Sequence, residues 1–225
     1  MLDHVLRNAQ RKFWEWRLAR RLKRDPGYSF SSDYTSYNTS NWVRIFQEYR
    51  GQAGIRMLEI GSYEGRSAVW FLENILTHPS ASIVCLDFFS SLPLSTRFDH
   101  NIQRSGQGSR VTKLKGRSDA ILSTLPLDHF DIIYIDGSHH AADVLMDAML
   151  SWYRIKPGGI MLFDDYLWAP GTPATERPQM AIDLFLQSFA GRYEILLKSY
   201  QIAIRKLPPA RAQQCSRVNQ AGTLD

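Results

Sequence analysis

The chain is poor in cysteine, with Cys85 and Cys215 the only two among 225 residues. Two thiols exclude a disulfide scaffold and any metal cluster built on several cysteines. Long apolar runs are also missing, and none approaches the ~18 residues that a membrane-crossing helix needs. Arg7, Arg11 and Lys12 interrupt the apolar stretch that a secretory signal would require, so a cytoplasmic location is expected. There is no internal repeat. The three-glycine pattern G-x-G-x-x-G is absent too, which argues against a pyrophosphate cradle of the dinucleotide type.

Apolar residues make up 44% of the chain and aromatics 12%, which excludes wholesale disorder. A chain of this length buries about 70% of its unfolded surface and needs neither disulfides nor structural zinc to fold. The net charge of +5 is unevenly spread: residues 1–27 hold 8 basic and 3 acidic side chains, residues 28–204 hold 15 and 18, and residues 205–225 hold 4 and 1. A slightly acidic body between two basic ends does not match a nucleic-acid reader with a basic face over its whole surface.

Three segments follow from the pattern. In residues 1–27, Leu2, Leu6, Ala9, Phe13 and Trp16 recur at helical spacing among arginines and lysines, and Asp25-Pro26-Gly27 then stops the helix. Such a basic amphipathic helix fits an anionic membrane surface. Packing on the chain's own domain or on a second copy in a homo-oligomer is the preferred reading, because an apolar stripe alone does not identify its partner. Residues 28–206 form the folded body. Residues 207–225 are a basic tail with no sustained apolar period, expected to be flexible.

Within the body, short apolar runs alternate with helical patterns. Strands are expected over residues 55–60, 82–86, 111–114, 131–135 and 160–163, with a turn at Lys156-Pro157-Gly158-Gly159 before the last. Helices are expected over 67–76, from 118, from about 141 through 153, and over 180–189. Residues 193–197 and 201–205 look like a closing hairpin. Non-alternating apolar strands separated by helices indicate an α/β, doubly wound, mostly parallel sheet with an antiparallel edge. Ligands of such a sheet sit beyond the carboxyl ends of the strands.

Those ends carry the informative residues. The first strand runs into Glu59-Ile60-Gly61-Ser62-Tyr63-Glu64-Gly65-Arg66-Ser67, where two glycines permit a sharp turn against a ligand. The second ends at Asp87, a carboxylate suited to two ribose hydroxyls, followed by Phe88 and Phe89. With Phe130-Asp131-Ile132-Ile133-Tyr134-Ile135-Asp136-Gly137-Ser138-His139, Ile155-Lys156-Pro157-Gly158-Gly159 and Phe163-Asp164-Asp165, this series resembles class I S-adenosylmethionine-dependent methyltransferases. It is most similar to the small bacterial branch related to catechol-type and sugar O-methyltransferases, to which Phe30, Asp33, Asn38 and Trp42 also point.

The resemblance covers about residues 30–206 and implies a seven-stranded, Rossmann-like methyltransferase fold. It implies S-adenosyl-L-methionine as cofactor, with Glu59, Gly61, Ser62, Tyr63, Gly65 and Ser67 around the methionine part and Asp87 and Phe88 at the ribose and base. Arg117, Ser118 and Asp119 would lie near adenine, although Ser118 could serve only as a helix cap. Asp136 belongs to the same cofactor set. In the related enzymes Asp136, Asp164 and Asp165 resemble a metal triad, and oxygen ligands of this kind suit Mg²⁺ or Mn²⁺.

Catalysis would involve Asp136 and His139. A histidine that titrates near neutral pH can take the proton an acceptor hydroxyl loses. The sequence departs from the catechol-type pattern here, since those relatives carry a lysine where His139 falls. The expected partner is a small hydroxylated acceptor, a sugar or natural product. A nucleic acid is not expected, because the Asn/Asp-Pro-Pro-aromatic motif and a Pro-Cys nucleophile are both absent. A metal-independent transferase, and a cofactor-binding scaffold that docks through residues 1–27, stand as alternatives.

Overall fold

A computed structural model describes residues 27–209. The expected N-terminal helix and the tail beyond residue 209 lie outside the described residues, together with the membrane and oligomer readings attached to them.

Seven strands are present: β1 (Arg56–Ile60), β2 (Ser82–Asp87), β3 (Val111–Lys115), β4 (Phe130–Ile135), β5 (Ile155–Phe163), β6 (Tyr193–Lys198) and β7 (Ile202–Lys206). Their order in one sheet is β3-β2-β1-β4-β5-β7-β6. β1 pairs in parallel with β4, bringing Glu59 beside Tyr134, and β4 pairs in parallel with β5, bringing Ile133 beside Met161. β7 runs antiparallel between β5 and β6. The chain builds outward from β1 to β3 and then returns to the other side of β1 at β4. Strand order therefore reverses between β1 and β4, where a doubly wound sheet opens a crevice at its carboxyl edge.

Among the described residues the helices are α1 (Thr39–Phe46), α2 (Arg66–Asn74), α3 (Leu92–Arg104), α4 (Ser118–Thr124), α5 (Ala141–Trp152) and α6 (Pro178–Ser188). Among the described residues, no helix is long and apolar enough to cross a membrane. The expected strands other than β5, and four of these helices, appear within about two residues of their sequence-read bounds. α1 and α3 have no counterpart in the sequence reading. α3 buries only Phe98, Asn101 and Ile102, too sparse a stripe to stand out; it is held by Ser91, whose side chain caps the Leu94 amide, and by a proline in its first turn. The expected turn at 156–159 is instead part of β5, accommodated by a register shift between Phe130 and Ile132.

The chain divides into two compact units. Of the described residues, the first comprises 27–54 with Ser62–Ile83 and Phe89–Thr112; the second comprises Ile55–Gly61, Val84–Phe88 and 113–209. The first unit is organised around aromatic side chains. Trp42 stacks on Phe71 at 4.8 Å and meets Trp70 edge-on at 5.2 Å, and all three are buried. The second unit holds the larger core. Alternate residues on one face of its strands (Leu58 and Ile60, Ile133 and Ile135, Met161 and Phe163, Ile202 and Ile204) meet Leu122 of α4, Ala148 and Trp152 of α5, and Phe185 of α6. The central strands are buried on both faces, which explains why their sequences read as unbroken apolar runs.

Candidate active site

At the carboxyl edge of the second unit, backbone hydrogen bonds tie the strand ends together. The Gly61 amide donates to the Leu86 carbonyl, that of Asp136 to Ile60, that of Asp164 to Ile135 and that of Gly116 to Asp87, all within 2.8–3.0 Å. Gly61 has φ of +88°, and a Cβ there would lie 1.9 Å from the Asp136 carbonyl oxygen. Only glycine lets β1 turn away this close to the end of β4.

The lacing leaves a cleft of about 290 Å³. Gly61, Asp87, Phe88, Arg117, Ser118 and Asp119, all expected near the cofactor, line it together. Gly116 lines it beside them, and so do Leu86, Ser138, Ala142, Met146 and Asp147, to which the sequence reading gave no role. Arg117 and Asp119 are exposed and paired with each other at 2.9 Å. Ser118 is the first residue of α4, not its cap, which is Arg117.

Glu59 and Asp136 are not among the lining residues. Glu59 is wholly buried in β1, and its charge is one of the influences that raise the Asp136 pKa. Ser62, Tyr63, Gly65 and Ser67 belong to the other unit. There Ser62 and Ser67 are buried, Tyr63 adopts φ of +45°, and Gly65 at φ of +79° is the cap of α2. A Cβ on Gly65 would come within 3.0 Å of Phe98.

Beside the cleft, past Gly137 and Ser138, lies a polar cluster. The buried Tyr134 hydroxyl lies between two carboxylates, 3.0 Å from Asp136 Oδ2 and hydrogen-bonded also to Asp164 Oδ2. Burial, and then repulsion from Asp164 and Asp165, pushes the Asp136 pKa well above the usual carboxylate range. Burial and the Asp165 charge push Asp164 up to about 6. Asp165, at φ of +57°, turns the other way: its Oδ2 is 2.8 Å from His139 Nε2, and its Oδ1 accepts from the Tyr200 hydroxyl at 2.8 Å. Trp168 lies flat against the His139 ring, with centroids 4.3 Å apart and planes 15° apart. The hydrogen bond to Asp165 raises the His139 pKa above its ordinary value, against the opposing effect of burial. His140 only opens α5, as its N-cap without a side-chain bond.

This geometry tests the expected metal triad. Asp136 and Asp164 direct oxygens at one phenol, and both oxygens of Asp165 are engaged by His139 and Tyr200. The three carboxylates therefore do not converge on a common point. Among the described residues, no group of three or more His, Cys, Asp or Glu is arranged to hold a metal ion.

The sequence reading missed Tyr134 and Tyr200. Tyr134 sits in an apolar strand and reads as core, and Tyr200 lies in a turn with no motif around it. In the segment after β5, Trp168 touches the cluster through the His139 ring.

Comparison with known proteins agrees with the fold. Residues 58–166 match a family model described as a methyltransferase domain. An uncharacterised protein of Acanthamoeba polyphaga mimivirus is 30% identical over 122 residues, which are 50% of this chain and 53% of that one, so the chain spans about half the length of this curated relative. The O-methyltransferase from Bacillus cereus, solved in complex with S-adenosylhomocysteine, is similar in fold with a TM-score of 0.60 at 17% identity, over 83% of this chain and 88% of that one. The methyltransferase MycE of the mycinamycin biosynthetic pathway, solved with Mg, S-adenosylhomocysteine and mycinamycin VI, gives 0.56 at 20% identity, over 81% of this chain and 51% of that one. Residues 58–166 thus resemble a methyltransferase domain, and the fold is the one shared with these solved methyltransferases.

Proposed function

We propose that this chain transfers a methyl group from S-adenosylmethionine to a hydroxyl oxygen of a small hydroxylated molecule, a sugar or polyhydroxylated natural product, with His139 as the base. The observation that carries this reading is the Trp168–His139–Asp165–Tyr200 arrangement next to a glycine-floored cleft. The cleft fits the cofactor chemically. Gly61 leaves the backbone open to close approach, Asp87 offers a carboxylate to ribose hydroxyls, and Phe88 presents an exposed ring.

When bound, S-adenosylmethionine supplies a sulfonium-activated methyl group. The chain's own residues do the rest. A carboxylate can only accept, so the bond to Asp165 fixes the His139 proton on Nε2 and leaves Nδ1 to take the acceptor's hydroxyl proton. Tyr200 holds Asp165 in place, and Trp168 fixes the imidazole plane, so the base is oriented before the acceptor arrives. The proton that the acceptor hydroxyl loses would pass to His139 Nδ1, while a cofactor held against Gly61 and Asp87 would supply the methyl group.

His139→Ala should lower kcat about 10²–10⁴-fold in a methyl-transfer screen over hydroxylated compounds. Its affinity for S-adenosylhomocysteine, measured by calorimetry, should match that of the unaltered chain. Failure of the unaltered chain to bind S-adenosylhomocysteine would sink the methyltransferase reading, and full turnover by His139→Ala would sink the base. A second reading, assistance by Mg²⁺ at Asp136, Asp164 and Asp165, is favoured by the magnesium in the MycE complex. It requires those carboxylates to leave Tyr134 and His139. Turnover that survives a chelator supports the histidine reading; turnover restored only by Mg²⁺ selects the metal.

A further inference from the structure

The first unit presents a surface that the chemistry above does not use. Residues 28–42 contain twelve Tyr, Ser, Thr or Asn among fifteen positions, and no lysine or arginine. Within this stretch Tyr34 is 65% exposed, and Tyr63, in the turn before α2, is 44% exposed. Their ring centroids lie 6.4 Å apart with the planes at 58°. The two rings therefore form one aromatic surface in the first unit, bordered by the Ser31 hydroxyl.

Both rings are fixed by their surroundings. Asp33 Oδ1 accepts from the Thr35 amide at 3.2 Å and the Ser36 amide at 2.9 Å, and Oδ2 accepts from the Arg66 guanidinium at 3.0 Å. Tyr34 thus projects from a clamped turn, with Thr35 beside it buried. Ser31 gives its one hydroxyl proton to Glu64 at 2.6 Å, so the Tyr63 hydroxyl is the donor in its 3.3 Å contact with Ser31. Tyr63 also holds φ of +45°. That conformation costs a residue other than glycine about 1–3 kcal/mol, and a ring left this exposed recovers little of it by burial. Rigid tyrosines set among small hydroxyl side chains give a contact surface that loses little conformational entropy when a ligand arrives.

The charges around the rings select the ligand. Arg66 is paired with Asp33, and Arg97 with Glu64, so both guanidinium groups are already committed to carboxylates. A nucleic-acid strand would find rings for its bases but no uncommitted arginine here for its phosphates. A neutral sugar needs no cation. The C–H face of a pyranose is weakly positive and lies well on the electron-rich face of a tyrosine. Its hydroxyls can exchange hydrogen bonds with Ser31 and the two phenols.

We infer that Tyr34 and Tyr63 form a sugar-binding surface that takes a neutral pyranose ring of a glycoside. That this glycoside is the methyl acceptor rests on the methyltransferase reading above; the binding itself does not. Tyr34, which has no expected role toward the cofactor, is the residue to vary.

The test is saturation-transfer NMR on the full chain with methyl β-D-glucopyranoside, methyl β-D-galactopyranoside and methyl α-L-rhamnopyranoside. Open-chain sorbitol serves as a control without a flat C–H face, and a short oligothymidylate as the nucleic-acid arm. At least one glycoside is expected to bind with a Kd on the order of 1 mM, and sorbitol should give no response. Tyr34→Ala should weaken that binding at least about fivefold, whereas Tyr34→Phe, which keeps the ring, should retain most of it. Calorimetry should give Tyr34→Ala the same affinity for S-adenosylhomocysteine as the unaltered chain. No response from any glycoside overturns the inference, and so does undiminished binding in Tyr34→Ala. Oligothymidylate binding that is tighter than glycoside binding and lost in Tyr34→Ala overturns it in favour of a nucleic acid. Glycoside binding without S-adenosylhomocysteine binding keeps the surface and sinks the methyltransferase reading; the reverse result sinks the surface alone.

Discussion

Each compact unit buries carboxylates, and the two units treat them in opposite ways. In the first, Glu64 is 1% exposed, and burial alone would raise its pKa; yet it accepts from the Ser31 amide and hydroxyl, both at 2.6 Å, and from the Arg97 guanidinium, and the net effect holds it below the usual range. In the second, Asp136 and Asp164 share a single phenol and repel each other, and both are pushed up. Depth does not decide the charge on a buried carboxylate. The number of donors and the sign of its neighbours decide it. The first arrangement is a structural tie, fastening residues 29–33 to α2 and α3 through Glu64, Arg66 and Asn101. The second is under-supplied with donors, a condition typical of sites that handle protons or ligands.

The contrast can be broken most forcefully at Glu64. Glu64→Ala strands the Ser31 and Arg97 donors and should cost roughly 3 kcal/mol in urea unfolding. A change under 1 kcal/mol would show that the tie holds nothing.

A pH series separates the units next. Glu64 has a lowered folded-state pKa, so its contribution is complete above its ordinary 4.5 and is lost as pH falls through the folded value. Asp147, which burial raises to about 6 from 3.8, behaves oppositely: its contribution is complete below 3.8 and is lost as pH rises through about 6. Between pH 4 and 6.5, Asp147→Asn should thus gain roughly 2 kcal/mol relative to the unaltered chain, while Glu64→Gln should show its relative loss complete above pH 5. Parallel profiles for the two variants would erase the distinction.

The smallest effect is expected at Tyr134. Tyr134→Phe removes the shared donor, and both carboxyls then stay protonated over a wider range, so the net destabilisation should be only about 1 kcal/mol in thermal unfolding. A much larger loss would mean that the second unit's carboxylates are tied as firmly as Glu64.

Much of this was legible in the sequence where a residue's type and its place in the chain coincide. Apolar strand runs gave the parallel sheet, strand-end positions pointed to Gly61 and Asp87, and the resemblance added Asp119; all three line one cleft. Asp147 was hidden because a helix pattern of Ala141, Val144, Ala148 and Trp152 explains α5 without it. The available signal was a carboxylate on the buried side, three residues after Val144 and four before the buried Ser151. Tyr134 could not be told from a core tyrosine, since the sequence does not show what its hydroxyl meets across β4 and β5. The triad of Asp136, Asp164 and Asp165 was implied by the resemblance, which does not show how each side chain is directed. The left-handed turn at Asp165 is what parts its side chain from Asp164.

The indole laid against His139 has an optical consequence. Protonating that imidazole brings a cation to the face of Trp168, where it is both attracted to the ring and able to quench its emission. The fluorescence lost on replacing Trp168 with phenylalanine is then a built-in gauge of the base's protonation state, readable before any acceptor for the chain is known.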